Sequence, residues 1–270
     1  SAWIGDLEID AEVEALTAAA YVLWLVIVKS GSGFLTITRS PRSAPMESVL
    51  AGALRVRCLT GAKAALGDVP ASIVSCAGAT VMAALDTACP SMDSLKEKRV
   101  LVVGIGMLGL LAVEAALRAG AAVTATDPNS HRRRYAAQLG ACISGFSDFD
   151  PALDIVENFD VALEFSSSPQ GVITCLKPLD INGVAVLAGS VADSPAIDLD
   201  PEWIVRGWRT VTGVHNYEPH HLEQAVDLLA GSRIDWQSVT DGPITLSQVP
   251  EAFHRSAGEG MRRVVDLSES

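Results

Sequence analysis

The sequence contains few basic and few aromatic residues. Lys and Arg number 20 against 32 Asp and Glu, which gives a formal net charge of −12, and Phe, Trp and Tyr together make up 5% of the chain. A surface this acidic repels phosphate backbones and anionic lipid headgroups, so we expect neither nucleic acid nor a membrane as a partner. With 49% hydrophobic and 19% charged residues, the chain also lacks the composition of a disordered protein.

Long apolar runs and closely spaced cysteines are missing as well. The most apolar run, residues 18–28, has 11 residues, whereas a membrane-spanning helix needs about 20, and we expect a buried strand there. The five acidic residues between positions 6 and 14 give the preceding segment the wrong charge for a signal peptide. The five cysteines form no C-x-x-C pair, which is typical of buried thiols in a reducing compartment. We therefore expect a cytoplasmic protein.

From residue 70 onward, apolar strands alternate with helical segments. Strands are predicted at 99–103, 122–126, 161–165, 184–188 and 210–214, and helices at 71–87, 108–118, 130–139, 172–176 and 220–229. This alternation requires crossover connections and predicts an α/β fold with a doubly wound parallel sheet of the Rossmann type. Within the second helix, Glu114 and Arg118 stand four residues apart, the spacing of a surface ion pair. After residue 241 the pattern changes to strand 244–246, helix 249–256 and strand 262–267.

A glycine-rich motif joins the strand 99–103 to the following helix. Its six residues, all candidates for cofactor binding, are Gly104, Ile105, Gly106, Met107, Leu108 and Gly109. In a G-x-G-x-x-G turn the first glycine permits a tight turn, the second lets a pyrophosphate approach, and the third lets helix and strand pack closely. Asp127 ends the next strand, where a carboxylate binds the ribose hydroxyls and repels a 2′-phosphate. NAD is therefore favoured over NADP, although Arg132, Arg133 and Arg134 could accommodate a phosphate.

The chain from residue 76 to the C-terminus resembles the cofactor half of the medium-chain, alcohol-dehydrogenase-like dehydrogenases, and most nearly those associated with phosphonate metabolism. The resemblance is carried by CAGATVMAAL (76–85), VVGIGMLG (102–109), ALEFS (162–166), VLAGSV (186–191) and GVHNYEP (213–219). It implies a Rossmann domain at 75–240 and a reduced, β-rich remnant of a GroES-like catalytic domain at 1–74 plus 241–270. It further implies that Thr80, Gly189, Ser190 and Val214 lie near the nicotinamide, that Ser166 lies near the adenosine, and that a homodimer forms through the edge strand 210–214.

The zinc ligands of this family are not matched. The family places zinc on a cysteine, on the histidine of a G-H-E stretch, and on a cysteine four residues before a threonine. Cys76, four residues before Thr80, matches the last position, but the G-H-E stretch corresponds to DLE at 6–8, and neither cysteine nor histidine occurs before Cys58. The segment that would hold a structural zinc, residues 30–43, contains no cysteine. A catalytic zinc needs about three protein ligands, so we expect no metal site.

Three residues are candidates for catalysis. His215 follows a strand at its carboxyl end, where ligands bind in such sheets, and it is either a proton donor or a hydrogen-bonded structural histidine. Tyr217 shares this loop. Cys76 is a relic ligand, a nucleophile or a buried small residue. Glu164, inside an apolar strand, is either a buried carboxylate or one that reaches the edge of the sheet.

Two functions remain open at this stage. The first is a zinc-independent, NAD(H)-linked oxidoreductase that acts on a small polar alcohol or carbonyl, or on a conjugated C=C bond, in secondary or phosphonate-type metabolism. The second is a non-catalytic or redox-neutral protein that retains the nucleotide site. Composition does not separate the two.

Overall fold

The computed structural model describes residues 25–29, 33–37, 66–89, 91–144, 158–191, 193–254 and 260–266. Its larger sheet has six parallel strands in the order β5-β4-β3-β6-β7-β8. These strands are β3 (Arg99–Val103), β4 (Ala122–Thr126), β5 (Cys142–Ile143), β6 (Phe159–Glu164), β7 (Leu179–Leu187) and β8 (Thr210–Gly213). The strand order reverses between β3 and β6, which creates the crevice where such sheets bind ligands. The predicted doubly wound Rossmann sheet is confirmed.

The nine α-helices of the described residues include two that were not predicted, at 201–207 and 236–239, whereas the others lie within three residues of their predicted limits. The nine are α1 (Asp68–Ile73), α2 (Ala79–Ala88), α3 (Met107–Arg118), α4 (Ser130–Leu139), α5 (Pro169–Leu176), α6 (Pro201–Gly207), α7 (Pro219–Ala230), α8 (Trp236–Val239) and α9 (Val249–His254). For α4 the reasons are local: the Asn129 side chain accepts from the amides of His131 and Arg132, and Gly140 ends the helix in the left-handed conformation.

A second, four-stranded sheet combines strands from both ends of the chain, in the order β2-β1-β10-β9. Its strands are β1 (Leu25–Lys29), β2 (Gly33–Ile37), β9 (Thr240–Thr245) and β10 (Arg262–Asp266). β1 falls on the end of the apolar run 18–28, and the rest of that run lies outside the described residues. The same holds for residues 6–8 and for much of the segment 30–43. The domain boundaries at 74/75 and 240/241 stay predictions.

One continuous helical run, Val69–Ala88, is long and apolar enough to cross a membrane by length and composition, among the described residues. Its apolar window is 78% buried inside the fold, where it packs against α3 and α7. The helices of protein cores pass this length test equally well, so the run is weak evidence for a membrane span. Within it, residues Val74–Gly78 form one π-helical turn that carries Cys76.

The ion pair expected on the surface of α3 is not formed. Glu114 is fully buried and accepts hydrogen bonds from Ser232 Oγ (2.7 Å) and the Arg233 amide (2.5 Å) in the loop after α7. Arg118 instead donates to the Leu228 carbonyl at 2.7 Å. The buried Glu114 side chain needs hydrogen-bond donors, and the loop supplies two of them. These bonds outweigh a solvent-exposed ion pair, which contributes little to stability in water.

An ion cluster joins three strands at their amino-terminal ends. The Arg99 guanidinium contacts Asp160 Oδ1 at 3.2 Å and Asp180 Oδ2 at 2.6 Å, and the Arg99 amide donates to Asp160 at 2.8 Å. Partial burial raises the pKa of Asp160, but its hydrogen bonds with Arg99 outweigh this effect and leave the pKa below the ordinary 3.8. Hydrogen bonding with Arg99 lowers the pKa of Asp180 likewise.

This cluster predicts a stability that is lost in acid. Because the folded-state pKa values are depressed, the contribution is present above pH 3.8 and disappears as the pH falls through the lower, folded-state values. Arg99→Met is expected to lower the stability modestly at pH 7 and to flatten its pH dependence below pH 5. Urea unfolding of both proteins between pH 7 and pH 2.5 measures this. Parallel curves for the two proteins would contradict the assignment.

Candidate functional site

The glycine-rich turn packs against the turn that follows β6. Gly104 has φ = +88°, a left-handed conformation that favours glycine. A Cβ atom there would lie 2.6 Å from the Ser166 amide nitrogen. A Cβ at Gly109 would overlap the Gly104 carbonyl oxygen, whereas one at Gly106 would have no atom within 4 Å. Gly104 and Gly109 are thus required by the fold, and Gly106 faces open space.

Asp127 lies against this turn at the end of β4. Its side chain is 3% exposed. Oδ2 accepts the Ile105 amide at 2.7 Å, and Oδ1 accepts the Asn129 amide at 2.8 Å. Arg132 approaches Oδ2 at 3.6 Å. The carboxylate therefore stabilises the glycine turn itself and stands beside a basic side chain.

A cleft of about 210 Å³ opens between these turns. Its walls include residues from the turn after β3, the end of β4 and the start of α5, among them Gly104, Gly106, Asp127, Arg132, Ser166 and Gln170. Thr126, also in the wall, has a buried hydroxyl with no hydrogen-bond partner in the described part of the chain. Complete ligand pockets measure roughly 300–1,000 Å³, so the cleft fits one part of a dinucleotide.

The donors at the start of α3 suit a pyrophosphate. Gly106 is the N-cap of α3, and Met107 and Leu108 form its first turn. Amides in the first turn of a helix have no partner within the helix, and the helix dipole adds positive potential there. Together with the open space at Gly106 and the unpartnered Thr126 hydroxyl, these amides make the cleft a fitting site for the adenosine and phosphate end of a dinucleotide.

Glu164 is fully buried at the end of β6, which decides between the two positions left open for it. Oε1 accepts the Ser166 amide (2.6 Å), Ser166 Oγ (2.7 Å) and the Ser167 amide (3.0 Å). Oε2 accepts the Gly189 amide (3.2 Å) and Ser190 Oγ (3.4 Å). One carboxylate therefore connects three residues implied by the family resemblance, although the sequence did not assign it that role.

The Cys76 thiol interacts with Arg262 and affects the pKa of Tyr217. Burial raises the pKa of the Cys76 thiol to about 11, although a hydrogen bond with Arg262 of β10 opposes the shift. Burial likewise raises the pKa of Tyr217 to about 12, with a further contribution from Cys76. The structure thus brings two catalytic candidates together with a buried arginine. The sequence gave no signal for Arg262, because it lies far along the chain.

The remaining candidates lie around these two groups. Thr80 follows Cys76 by one turn of the same helical run, and the amide of Val214 donates to the Leu187 carbonyl at 3.1 Å. His215 is exposed in the loop after β8. Its position near the carboxyl end of the sheet agrees with the expectation, but its role stays a prediction.

A cluster of Asp86, His220 and His221 has ligand atoms within 4.8 Å of one another. However, His221 Nδ1 accepts the Glu218 amide at 2.9 Å, as part of the N-terminal cap of α7. The proton of the neutral ring is then on Nε2, which faces Asp86 Oδ2 at 3.4 Å. This tautomer favours a hydrogen bond over a metal ion.

Residues 108–231 match the family of zinc-binding dehydrogenases. The match starts inside the glycine motif and extends through the helix after β8. The matched segment makes up a little under half of the chain and agrees with the medium-chain dehydrogenase/reductase superfamily. The superfamily resemblance seen in the sequence is confirmed, whereas the closer resemblance to phosphonate-associated members stays a prediction.

Several known members of this superfamily are similar to the chain. L-threonine 3-dehydrogenase of Saccharopolyspora erythraea is 27% identical over 62% of this chain and 50% of its own length. Two solved structures are 22% identical and share the fold. One is 2R,3R-butanediol dehydrogenase of Bacillus subtilis, with a TM-score of 0.62 over 76% of this chain and 59% of that one. The other is a zinc-binding dehydrogenase candidate of Sinorhizobium meliloti bound to NADP, with a TM-score of 0.63 over 74% and 60%.

The chain spans about half the length of the curated superfamily members that it matches. The part that the family model matches, residues 108–231, contains the end of the glycine turn, Asp127 and the loops after β6, β7 and β8. It is the part that binds nucleotide in a Rossmann fold.

The pKa values of the thiols predict which cysteines react in the folded protein. With a pKa of about 11, roughly one Cys76 thiol in a thousand is ionised at pH 8, and the thiolate is the reactive form. Burial raises the pKa of Cys175 as well, whereas Cys142 is exposed. Iodoacetamide at pH 8 is expected to modify Cys142 before Cys76 and Cys175, with the products identified by peptide mass spectrometry. In urea the three should react at similar rates. Labelling of Cys76 as fast as Cys142 in the native protein would refute the assignment.

Proposed function

We propose that the protein is an NAD(H)-linked oxidoreductase that exchanges a hydride with a small polar alcohol or carbonyl substrate. The observation that carries the proposal is the cleft at the glycine turn, where Gly106 leaves space, the amides of α3 begin, and Asp127 stands at the position of a ribose ligand. When bound, the nicotinamide supplies two-electron hydride exchange. Reduction of a conjugated C=C bond is an alternative that the same site allows.

The residues around Cys76 would serve the substrate. Tyr217, with its pKa raised to about 12 by burial, remains protonated at neutral pH and is a hydrogen-bond donor. The guanidinium of Arg262 is a permanent cation in the same place. Donors and cations of this kind stabilise the negative oxygen of a carbonyl group under reduction. His215 is exposed and lies two residues before Tyr217 in the sequence. It would pass the proton of the reaction between the site and the solvent.

A zinc ion does not fit this group of residues. The Arg262 guanidinium lies beside the Cys76 thiol and would repel a second cation there. Among residues 1–57 the chain has neither cysteine nor histidine to complete a set of ligands, and catalytic zinc uses about three. We therefore propose a reaction that is independent of zinc.

A homodimer formed through β8 is part of the proposal. Among the described residues, β8 is the last strand on its side of the larger sheet, so one of its edges is unpaired there. Large apolar side chains are exposed close to this edge, with Val205 at 71%, Trp208 at 78% and Ile181 at 63%. Open strand edges and exposed apolar side chains are features of protein interfaces.

Titration with NADH, followed by nicotinamide fluorescence, tests the proposed function directly. Gly106→Ala introduces a methyl group into open space at φ = −76°, so it should fold normally. The methyl group should occupy the space of the pyrophosphate and weaken NADH binding about tenfold, a loss of about 1.4 kcal/mol.

Gly140→Ala is the matched control, because a Cβ there meets no atom within 4 Å, although its φ of +110° strains the helix end. It should lose stability but retain NADH affinity. Equal NADH affinity in wild type and Gly106→Ala would refute the site. Binding without hydride transfer to any of a panel of carbonyls and enones would favour a non-catalytic protein.

The carboxylate of Asp127 predicts a preference for NAD. Asp127→Ala removes an acceptor for the ribose hydroxyls and frees Arg132, now 3.6 Å from Oδ2, to meet a 2′-phosphate. NADH affinity should fall about tenfold more than NADPH affinity, as measured by fluorescence titration. Arg132→Ala is the control and should leave the preference for NADH unchanged or larger. Equal losses of both cofactors in Asp127→Ala would remove the ribose assignment.

A further inference from the structure

Glu164 stands out among the polar groups that the proposed function leaves unused. It is a fully buried carboxylate whose five hydrogen-bond partners are all neutral. Its Oε1 accepts from the loop after β6, and its Oε2 accepts from the loop after β7. A buried charge requires several hydrogen-bond donors to offset its desolvation. If either loop moved away, the Glu164 carboxylate would lose some of these donors, at a cost in free energy.

The two loops also contact each other directly. A Cβ at Gly189 would lie 2.7 Å from the Phe165 carbonyl carbon and 2.8 Å from the Ser166 amide nitrogen. Ser167 Oγ donates to the Gly189 carbonyl at 2.6 Å. The amides of Ala188 and Gly189 also donate to the Glu164 backbone carbonyl, at 3.0 and 2.9 Å. The position of the Gly189–Ser190 loop is therefore set by the backbone and side chain of Glu164 and by Ser167.

The topology tells which ends of a dinucleotide these loops face. Along the sheet the order is β4, β3, β6, β7. With the adenosine ribose at Asp127 after β4 and the pyrophosphate at the glycine turn after β3, the other half of the molecule extends over β6 and β7. Ser166 lines the cleft at the adenosine end, and Gly189 and Ser190 follow β7.

We propose that Glu164 is a positioning residue that holds the Gly189–Ser190 loop in register for the nicotinamide half of the dinucleotide. This inference rests on the proposed function. Glu164 acts through the two loops, and the loop at the adenosine end is the fixed side of the connection, since three of the five hydrogen bonds, at 2.6 to 3.0 Å, are made there.

The substitution Glu164→Gln is expected to affect the two loops differently. The amide oxygen of glutamine can keep the three donors of the loop after β6. The amide nitrogen then faces the Gly189 amide, from which it cannot accept, and Ser190 Oγ, which must change from donor to acceptor. The Gly189 amide keeps its hydrogen bond to the Glu164 backbone carbonyl at 2.9 Å. Because two N–H groups then face each other, the Gly189–Ser190 loop should shift while the adenosine end keeps its position.

Binding of ADP and of NADH, measured by calorimetry on the full chain, tests this. In Glu164→Gln the Kd for ADP should stay within about twofold of the wild type, and the Kd for NADH should rise about tenfold. The blue shift of NADH fluorescence on binding should diminish, since the ring is held less firmly. A general loss of stability would change the Kd values for ADP and NADH by the same factor.

Glu114→Gln is the matched control, because Glu114 is also fully buried and also accepts from a serine hydroxyl and a backbone amide, at Ser232 and Arg233. It should lower thermal stability but leave the ratio of the two Kd values unchanged. If Glu164→Gln does not fold, Ser167→Ala removes the other side-chain link between the loops at an exposed position, and NADH binding should again weaken more than ADP binding.

The outcomes separate the two proposals. Wild-type protein that binds NADH, together with an unchanged ratio of Kd values in Glu164→Gln or in the folded Ser167→Ala, overturns the role of Glu164 alone. Equal weakening of ADP and NADH overturns it as well, because Glu164 would then support the site as a whole. Wild-type protein that binds neither ligand overturns the proposed function and this inference together.

Discussion

The site depends on backbone contacts between turns at the carboxyl edge of the larger sheet. Gly104 and Gly189 both pack on the peptide that joins Phe165 to Ser166, at distances that leave no room for a side chain. Turns this close bury amides that the strands no longer satisfy, and each needs an acceptor. Asp127 accepts the Ile105 amide on one side, and the Glu164 side chain accepts the Ser166 and Ser167 amides on the other. The Gly189 amide is shared between the Glu164 side chain and the Glu164 backbone carbonyl. Two carboxylates thus make the close packing possible.

This arrangement explains which parts of the fold the sequence could predict. The limits of β3, β4 and α4 follow from local signals, namely unbroken apolar runs, an asparagine cap and a terminal glycine. The glycine motif and Asp127 are local signals too, since their spacing is set by one strand, turn and helix. The limits of these elements can therefore be predicted from a segment of about 30 residues.

The features that sequence analysis missed depend on contacts between distant segments. Arg262 of β10 interacts with Cys76 although the two residues are far apart in the sequence. Glu114 leaves the surface of α3 because a loop more than a hundred residues away presents a hydroxyl and an amide to it. Helix periodicity shows which residues share a face, but it does not show which distant donors will need an acceptor.

The acidic composition also bears on how an anionic dinucleotide would bind. A net charge of −12 opposes the approach of a pyrophosphate, yet charges further away than about 8 Å are largely screened at physiological ionic strength. Affinity is then decided by the groups in the cleft: the amides at the start of α3, their dipole and Arg132. Asp127 partly neutralises Arg132 at 3.6 Å, so little positive charge is left over for a further phosphate. The pair of Asp127 and Arg132 thus affects two properties at once: how strongly a dinucleotide binds, and whether NAD, with its free ribose hydroxyl, is preferred over NADP, with its 2′-phosphate.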